Sequence, residues 1–251
     1  GWGGLAQAFD EKNESWKKEY AELKSLLSTE DYEQARSSTL NAYYTAKDVI
    51  EGIYSALNRF GVKGNNRILE PAMGTGNFFG FMPKEIAEGS RLYGVELDNL
   101  TGRIAAKLYP QANVQVKGFE ETNFPNDYFD IVVSNVPFGG YGVYDSEYSR
   151  HKFLIHDYFI AKSIDKVKPG GIVAVVTSKG TLDKLNPTAR KYMAERAELL
   201  GAIRLPNTAF RQTANTEAVT DILFFKKRAE KISDTGGIEW LGMGKTEDGF
   251  E

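Results

Sequence analysis

Four short segments place acidic, glycine or amide residues where they could bind and activate a small ligand. The first, residues 70–78, runs Glu-Pro-Ala-Met-Gly-Thr-Gly-Asn-Phe. Its glycines, Gly74 and Gly76, let the backbone pass close beneath a ligand, and the N–H groups of a following helix would point at that ligand. The acid at Glu70 favours an ammonium group over the phosphates of a dinucleotide. A glycine pair alone is a weak signal, since many strand-to-helix turns contain one.

Two further segments carry acids after predicted strands. Glu96 follows the glycine turn by about 20 residues, the spacing at which a carboxylate meets the two hydroxyls of a bound ribose. Leu97, next to it, would pack against a purine ring. Phe119 and Glu120 come after the next strand, where a backbone N–H and a carboxylate could bind an adenine edge, or where the chain simply turns at the surface. Together these segments predict a nucleoside-containing cofactor.

The most specific segment is residues 134–139, Ser-Asn-Val-Pro-Phe-Gly. The side-chain carboxamide of Asn135 and the backbone carbonyl of Val136 could together accept both hydrogens of one –NH₂ group. Pro137 would hold the two acceptors in a single orientation, and Phe138 offers a ring on which a planar group could stack. A simple turn does not require this combination, so the segment predicts a site for a planar amine.

The elements that must position these segments alternate between strand and helix after Gly61. Predicted helices cover residues 47–60, a stretch up to 88, 99–109, 151–167 and a segment that begins at Pro187. Predicted strands cover residues 67–70, 91–96, 113–117, 129–134, 172–177, 202–205 and 221–225. This alternation is typical of an α/β fold with a doubly wound, mostly parallel sheet. Such sheets bind ligands at the carboxyl ends of their strands, where all four segments lie.

Composition excludes several kinds of chemistry. The 251-residue chain has no cysteine, which rules out a thiol nucleophile, a disulfide scaffold and a cysteine-ligated zinc site. No apolar run approaches the roughly 20 residues of a membrane span, and the first residues do not resemble a signal peptide. We therefore expect a cytoplasmic protein without a membrane partner. Because the chain does not begin with Met, we expect it to be trimmed or part of a longer polypeptide.

Charge is distributed unevenly. The net charge is −3, yet residues 150–228 contain fifteen basic and seven acidic side chains, a net charge of +8. Such a stretch either contacts a phosphate backbone or forms an ordinary solvated surface. The candidates for phosphate contacts are Lys179, Lys184, Arg190, Lys191, Arg204 and Arg211.

The motifs resemble those of class I S-adenosylmethionine-dependent methyltransferases, and among these the N6-adenine DNA methyltransferases. That family has an acid-Pro-x-x-Gly-x-Gly motif for the methionine end of the cofactor, matched by residues 70–76, and an acid for the ribose, matched by Glu96. An Asn-Pro-Pro-Phe motif ends its fourth strand, matched by residues 135–138. A Tyr-Thr-Pro-like motif is matched by residues 43–46, Tyr-Tyr-Thr-Ala. The chain looks most like the methyltransferase module of large helicase–methyltransferase proteins of phages and integrating bacterial elements.

The resemblance implies a Rossmann-like methyltransferase domain at residues 41–228, an N-terminal helical extension at 1–40 and an acidic C-terminal extension or linker at 229–251. It implies S-adenosylmethionine as cofactor, transfer of its methyl group to the exocyclic N6 of a flipped adenine in DNA, and helicase or DNA-recognition domains as further partners. The catalytic residues implied are Asn135, Val136, Pro137 and Phe138. The cofactor-binding residues implied are Tyr44, Thr45, Glu70, Ala72, Gly74, Gly76, Asn77, Phe78, Glu96, Leu97, Phe119 and Glu120.

Two departures from the family pattern keep alternatives open. Val136 replaces the first proline of the Asn-Pro-Pro-Phe motif, which keeps the carbonyl but loses rigidity. Only 24 residues follow Lys227, where relatives usually carry a target-recognition domain. One alternative is a non-catalytic nucleic-acid-binding module of a larger protein. Another is methylation of a different planar amine, namely adenine in RNA, cytosine N4 or protein glutamine.

Overall fold

A seven-stranded sheet forms the centre of the computed structural model, which describes residues 2, 5–39, 44–207 and 219–242. The strands are β1 (Arg67–Glu70), β2 (Arg91–Glu96), β3 (Asn113–Val116), β4 (Phe129–Asn135), β5 (Val167–Ser178), β6 (Ala197–Arg204) and β7 (Thr220–Lys227). Their order is β3-β2-β1-β4-β5-β7-β6. Strand β7 runs antiparallel to β5 and β6, and the other pairs are parallel. The predicted mostly parallel α/β sheet is therefore confirmed.

Helices cover both faces of the sheet. They are α1 (Lys17–Leu26), α2 (Thr29–Ser38), α3 (Lys47–Arg59), α4 (Asn77–Gly80), α5 (Lys84–Ala87), α6 (Asn99–Leu108), α7 (Ile155–Lys166), α8 (Gly180–Asp183) and α9 (Thr188–Arg196). Strand β4 shows why the sheet is doubly wound: Ile131 and Val133 pack in one core with α3, while Val132 packs in the other with α7. Among the described residues, no helix is long and apolar enough to cross a membrane.

The N-terminal helices form a layer with a small core of its own. Ala8, Phe9, Tyr32 and Ala35 are buried together, and the surrounding aromatic and leucine side chains of α1 and its neighbours pack against them. Ser28 caps the start of α2 by accepting a 3.1 Å hydrogen bond from the backbone N–H of Asp31. We refer to residues 5–39 as the N-terminal layer.

Two helix predictions differ from the structure. The stretch up to residue 88 is not one helix but the two single turns α4 and α5, because Pro83 precedes α5 and cannot continue a helical hydrogen-bond ladder. The helix predicted from residue 151 begins at Ile155. A 3₁₀ turn over Ser149–His151 comes first and ends at Lys152, which has a left-handed φ of 53°.

The apolar stripe of α6 faces outward rather than toward the sheet. Ile104 and Leu108 are exposed, whereas Gly102 and Ala105 are buried. Small residues face the sheet because the helix lies close to it: a Cβ at Gly102 would lie 2.9 Å from a methyl carbon of Val116.

The start of the C-terminal extension packs back on the domain. The ring of Trp240 lies 6.0 Å from that of Phe225 in β7. The guanidinium group of Arg190 in α9 donates a 3.1 Å hydrogen bond to the carbonyl of Leu241. Trp240 and Leu241 therefore contact β7 and α9 of the sheet domain.

Candidate active site at the carboxyl ends of the strands

A cavity of about 550 Å³ opens at the carboxyl ends of β1, β2 and β4. This volume is within the usual range for small-molecule sites. Fourteen of the sixteen predicted site residues line it, namely Tyr44, Thr45, Glu70, Ala72, Gly74, Asn77, Phe78, Glu96, Leu97, Phe119, Glu120, Asn135, Val136 and Pro137. Gly76 and the half-buried Phe138 do not belong to the lining.

Gly76 shapes the glycine turn from outside the cavity. It has a φ of +85°, and a Cβ at this position would overlap with the ring of Tyr109. The hydroxyl of Tyr109 donates a 2.8 Å hydrogen bond to the Gly76 carbonyl. The turn thus requires glycine for its backbone conformation and for the packing of Tyr109. Since α4 has only one turn, its helix dipole contributes less at the cavity than the sequence suggested.

Glu96 connects two of the predicted segments. One carboxylate oxygen accepts a 2.8 Å hydrogen bond from the backbone N–H of Gly74, and the other accepts a 2.8 Å bond from that of Asp98. Burial raises the pKa of Glu96, although these two N–H groups act to lower it. Because each carboxylate oxygen has two lone pairs, Glu96 can still accept hydrogen bonds from a ligand.

Glu70 is a buried carboxyl group with an unused acceptor. Its side chain is 2% exposed, and its Oε2 atom has no hydrogen-bond partner in the part of the chain that the structure describes. Burial raises the pKa of Glu70 well above its ordinary value, and the charge of Glu96 adds to the effect. Buried polar groups are normally satisfied, so this oxygen is available to a hydrogen-bond donor that enters the cavity.

Asn135 is held in place by the sheet. It is the last residue of β4, where it pairs with Val176 of β5. The backbone N–H of Val136 then donates a 3.0 Å hydrogen bond to the Val176 carbonyl, which extends the pairing one residue beyond the strand. This bond restrains the backbone at Val136, where the family's Asn-Pro-Pro-Phe motif has a proline that would make it rigid. The departure from the family motif therefore has a local compensation.

The segment before α3 also reaches the cavity. The hydroxyl of Thr75 in the glycine turn donates a 3.3 Å hydrogen bond to the hydroxyl of Tyr44. Thr45 is buried beside it. Tyr43, the first residue of the predicted Tyr-Thr-Pro-like motif, lies outside the described residues.

Helix α2 lines the cavity as well, which the sequence did not predict. Its contribution consists of four polar residues, Glu33, Gln34, Ser37 and Ser38. No local motif marks them, because their role depends on how the N-terminal layer docks against the sheet domain. Tyr141, Val143, Ile155 and Phe159, which follow β4, are further lining residues that sequence reasoning missed.

Carboxyl groups outnumber basic groups in the lining of the cavity. Within the described residues its lining contains five carboxyl groups, from Glu33, Glu70, Glu96, Asp98 and Glu120, and one lysine, Lys117. An excess of carboxyl groups favours a ligand that carries positive charge.

Three of the six candidate phosphate contacts bind other groups of the protein. The buried Arg190 donates to backbone carbonyls, including that of Lys184 at 2.7 Å. Arg204 forms ion pairs with Asp183 and Asp221, and Lys184 pairs with Asp157. Arg211 lies outside the described residues. The two remaining candidates, Lys179 directly after β5 and Lys191 in α9, are both exposed.

The sheet order and the cavity define the fold class of the S-adenosylmethionine-dependent class I methyltransferases. The family model described as N-6 DNA Methylase matches residues 26–240, so the chain belongs to the N-6 DNA methylase family. The cofactor that this family and fold imply is S-adenosylmethionine. The unpartnered Glu70, the acidic lining and the position of Glu96 fit that molecule, whose methionine end carries an ammonium group and whose adenosine end carries a ribose.

Three relatives illustrate the similarity. Over 219 residues the chain is 32% identical to "Defense against restriction protein B" of Escherichia phage P1, an alignment that covers 85% of this chain and 9% of that protein. It is 27% identical to the methylase subunit of the type I restriction enzyme EcoEI of Escherichia coli, covering 74% of this chain and 42% of that subunit. A type I restriction-modification methyltransferase subunit from Streptococcus thermophilus superposes with a TM-score of 0.63 at 20% identity, covering 85% and 53% of the two chains. The chain thus spans less than half of the length of either sequence relative.

Proposed function

We propose that this chain transfers a methyl group from S-adenosylmethionine to the exocyclic N6 amine of adenine in DNA. The observation that carries the proposal is the meeting of two motifs in one cavity. Glu70, at the end of β1, and Asn135, at the end of β4, both line it. This supports a proposed site for a cationic cofactor next to a proposed site for a planar amine, the arrangement that methyl transfer requires.

Each side of the cavity has a proposed role. Glu70 accepts hydrogen bonds from the ammonium group of the cofactor, and Glu96 accepts from its ribose hydroxyls. When bound, the cofactor supplies a methyl group attached to a positively charged sulfur. The remaining proposed cofactor contacts are Tyr44, Thr45, Ala72, Gly74, Asn77 and Phe78 around the methionine end and Leu97, Phe119 and Glu120 around the adenine, while Gly76 shapes the turn.

Asn135 and Val136 are the proposed groups that prepare the target amine. An adenine amine is a poor nucleophile because its lone pair is delocalised into the ring. Acceptance of its two hydrogens by Asn135 Oδ1 and the Val136 carbonyl favours a pyramidal nitrogen and orients the lone pair. Full positioning of reacting groups is worth up to about 7–11 kcal/mol. The chain contains no cysteine for the covalent route that cytosine C5 methylation requires.

The target adenine has to leave the double helix to reach this cavity, at a cost of a few kcal/mol. Phe138, next to the cavity-lining Pro137, is the proposed stacking surface for the flipped base. DNA and helicase or recognition domains of a longer polypeptide remain proposed partners. We likewise propose the division of the chain into a methyltransferase domain at residues 41–228 and extensions at 1–40 and 229–251.

The experiment is to incubate the chain with labelled S-adenosylmethionine and DNA, digest the DNA and identify the modified nucleoside. N6-methyladenine is the expected product. Asn135→Ala should lower the rate by about 10²- to 10³-fold, as loss of one preorganised polar group does, with little change in cofactor affinity. Asn58→Ala, an exposed Asn in α3, is the matched control.

The alternatives give different results in the same assay. If the labelled product is N4-methylcytosine, the substrate is cytosine rather than adenine. If the label appears in RNA or protein but not in DNA, the substrate is a planar amine of that molecule. Absence of cofactor binding in calorimetry would favour the non-catalytic nucleic-acid-binding module. Unchanged methylation by Asn135→Ala would show that the catalytic assignment is wrong.

A further inference from the structure

Helix α2 has two faces with different partners. Its apolar face, which carries Tyr32 and Ala35, packs inside the N-terminal layer against Phe9. Its other face lines the cavity of the sheet domain with polar residues, namely Glu33, Gln34, Ser37 and Ser38. At 100° per residue these two sets lie on opposite sides of the helix. The polar face is therefore available to a molecule in the cavity.

Asn99, the first residue of α6, is the point where α2 docks. Its backbone N–H donates a 3.2 Å hydrogen bond to Gln34 Oε1, and its side-chain Nδ2 donates a 3.0 Å bond to Asp31 Oδ1. Asn99 follows Asp98, which lines the cavity, and lies three residues after Glu96. Docking at this point brings the polar face of α2 to the end of β2, where Glu96, the proposed ribose-binding acid, is located.

The cavity face of α2 is rich in acceptors. Ser37 donates its hydroxyl hydrogen to the Glu33 carbonyl at 2.8 Å, and Ser38 donates to the carbonyls of Gln34 and Ala35 at 3.0 Å. Both hydroxyl oxygens keep lone pairs, and the carboxyl oxygens of Glu33 can accept as well. A ligand that matches this face must present several donors. The two ribose hydroxyls and the adenine amine of an adenosine are such donors.

We propose that α2 completes the cofactor site by accepting hydrogen bonds from the adenosine end of S-adenosylmethionine, with Asn99 as the anchor that positions the helix. The inference rests on the proposed function, since it deepens the assignment of the same cavity. It makes the N-terminal layer part of the binding site rather than an accessory. A bound cofactor then links the layer to the sheet domain.

The test compares two ligands that share the adenosine end. S-adenosylmethionine has the ammonium and carboxylate groups of methionine, whereas 5′-methylthioadenosine lacks both. The double variant Gln34→Ala/Asn99→Ala removes both docking hydrogen bonds and should weaken both ligands by the same factor, about tenfold for two ordinary hydrogen bonds. Glu70→Gln should weaken S-adenosylmethionine but not 5′-methylthioadenosine. Thr29→Ala, in the exposed first turn of α2, is the control and should change neither affinity.

A second variant, Glu33→Gln, tests the cavity face without disturbing the docking. It should weaken 5′-methylthioadenosine several-fold at an unchanged melting temperature. If Glu33→Gln and the double variant both bind the ligands as tightly as the unaltered chain, the inference about α2 is overturned and the proposed function is not. The same holds if the variants weaken S-adenosylmethionine but not 5′-methylthioadenosine. If the unaltered chain binds neither ligand, the proposed function is overturned, and the inference with it.

Discussion

The backbone N–H of Gly74 donates a 2.8 Å hydrogen bond to the carboxylate of Glu96, so that the glycine turn after β1 and the acid at the end of β2 form one unit. The other carboxylate oxygen is held by the N–H of Asp98 at the same distance. The acid proposed to bind the ribose therefore also fixes the loop proposed to pass beneath the cofactor. Its removal should disturb both.

Glu96→Ala should weaken S-adenosylmethionine by about 10- to 150-fold, since hydrogen bonds to a charged group are worth about 1.5–3 kcal/mol. Glu96→Gln, which keeps one acceptor oxygen, should show a smaller loss. Calorimetric titration measures both, with Glu85→Ala in the exposed part of α5 as the control. Equal affinities for the Ala variant and the unaltered chain would remove Glu96 from the site.

Glu70→Gln should stabilise the cofactor-free chain at neutral pH. Burial raises the folded-state pKa of Glu70 above the ordinary value of 4.5. Above that pH the carboxyl group ionises more readily in the unfolded chain than in the folded one, which lowers the free energy of unfolding. The neutral amide removes the penalty, with an expected gain of about 2–4 °C in melting temperature for each kcal/mol removed. The difference between the two chains should vanish below about pH 4, where both states bind the proton.

Thermal unfolding between pH 4 and pH 8, with and without S-adenosylmethionine, measures this effect. The same substitution should also reduce the rise in melting temperature that the cofactor produces, because the acceptor for the ammonium group becomes a neutral amide. A Gln variant that is less stable than the unaltered chain at pH 7 would contradict the argument.

The strand ends were predictable because the signals there are local. The strand predicted at residues 129–134 placed Asn135 at the carboxyl edge of the sheet, and the acids after the neighbouring strands followed from the same rule. The cavity contribution of α2 was not predictable, since it depends on the contact between Gln34 and Asn99, 65 residues apart. Arg190 was one candidate for a phosphate contact and is buried, because sequence position does not reveal which cations find carbonyl partners.

Lys162→Met should destabilise the fold by about 3–5 kcal/mol, as removal of one partner of a buried ion pair does. Lys162 is 3% exposed, and its ammonium group donates 2.8 Å hydrogen bonds to Asp145 Oδ2 and to the Phe119 carbonyl. Lys162 thus joins Asp145, in the loop after β4, to Phe119, one of the proposed adenine contacts. Urea unfolding measures the loss, and Lys63→Met at an exposed position is the control.

The double variant Lys162→Met/Asp145→Leu separates charge from packing in that prediction. Removing the carboxylate that the first substitution leaves unpaired should recover part of the lost stability. If the double variant is less stable than Lys162→Met by the full cost of a second independent substitution, the two residues do not act as a pair.

Lys179→Ala should lower DNA affinity and reduce the slope of log affinity against log salt by about 1, the value for loss of one phosphate contact. Lys179 is exposed and directly follows β5, at the same edge of the sheet as the cavity. Binding titrations at several salt concentrations measure the slope. Lys18→Ala, on the exposed side of α1, should leave the slope unchanged, and an equal effect of both substitutions would indicate a diffuse charge effect rather than a contact.

Val136→Pro restores the family's Asn-Pro-Pro-Phe motif, yet it should not improve the proposed methyl transfer. The N–H of Val136 donates a 3.0 Å hydrogen bond to the Val176 carbonyl, and proline has no N–H to replace it. Since Val136 is 1% exposed, the carbonyl of Val176 loses its partner in a buried place, at a cost of about 1–3 kcal/mol. Denaturant unfolding should show that loss, and the methylation rate should not exceed that of the unaltered chain. If the proline variant is more stable and faster, the hydrogen bond between Val136 and Val176 is not what holds Asn135 in place. The rigidity of the proline motif would then hold it.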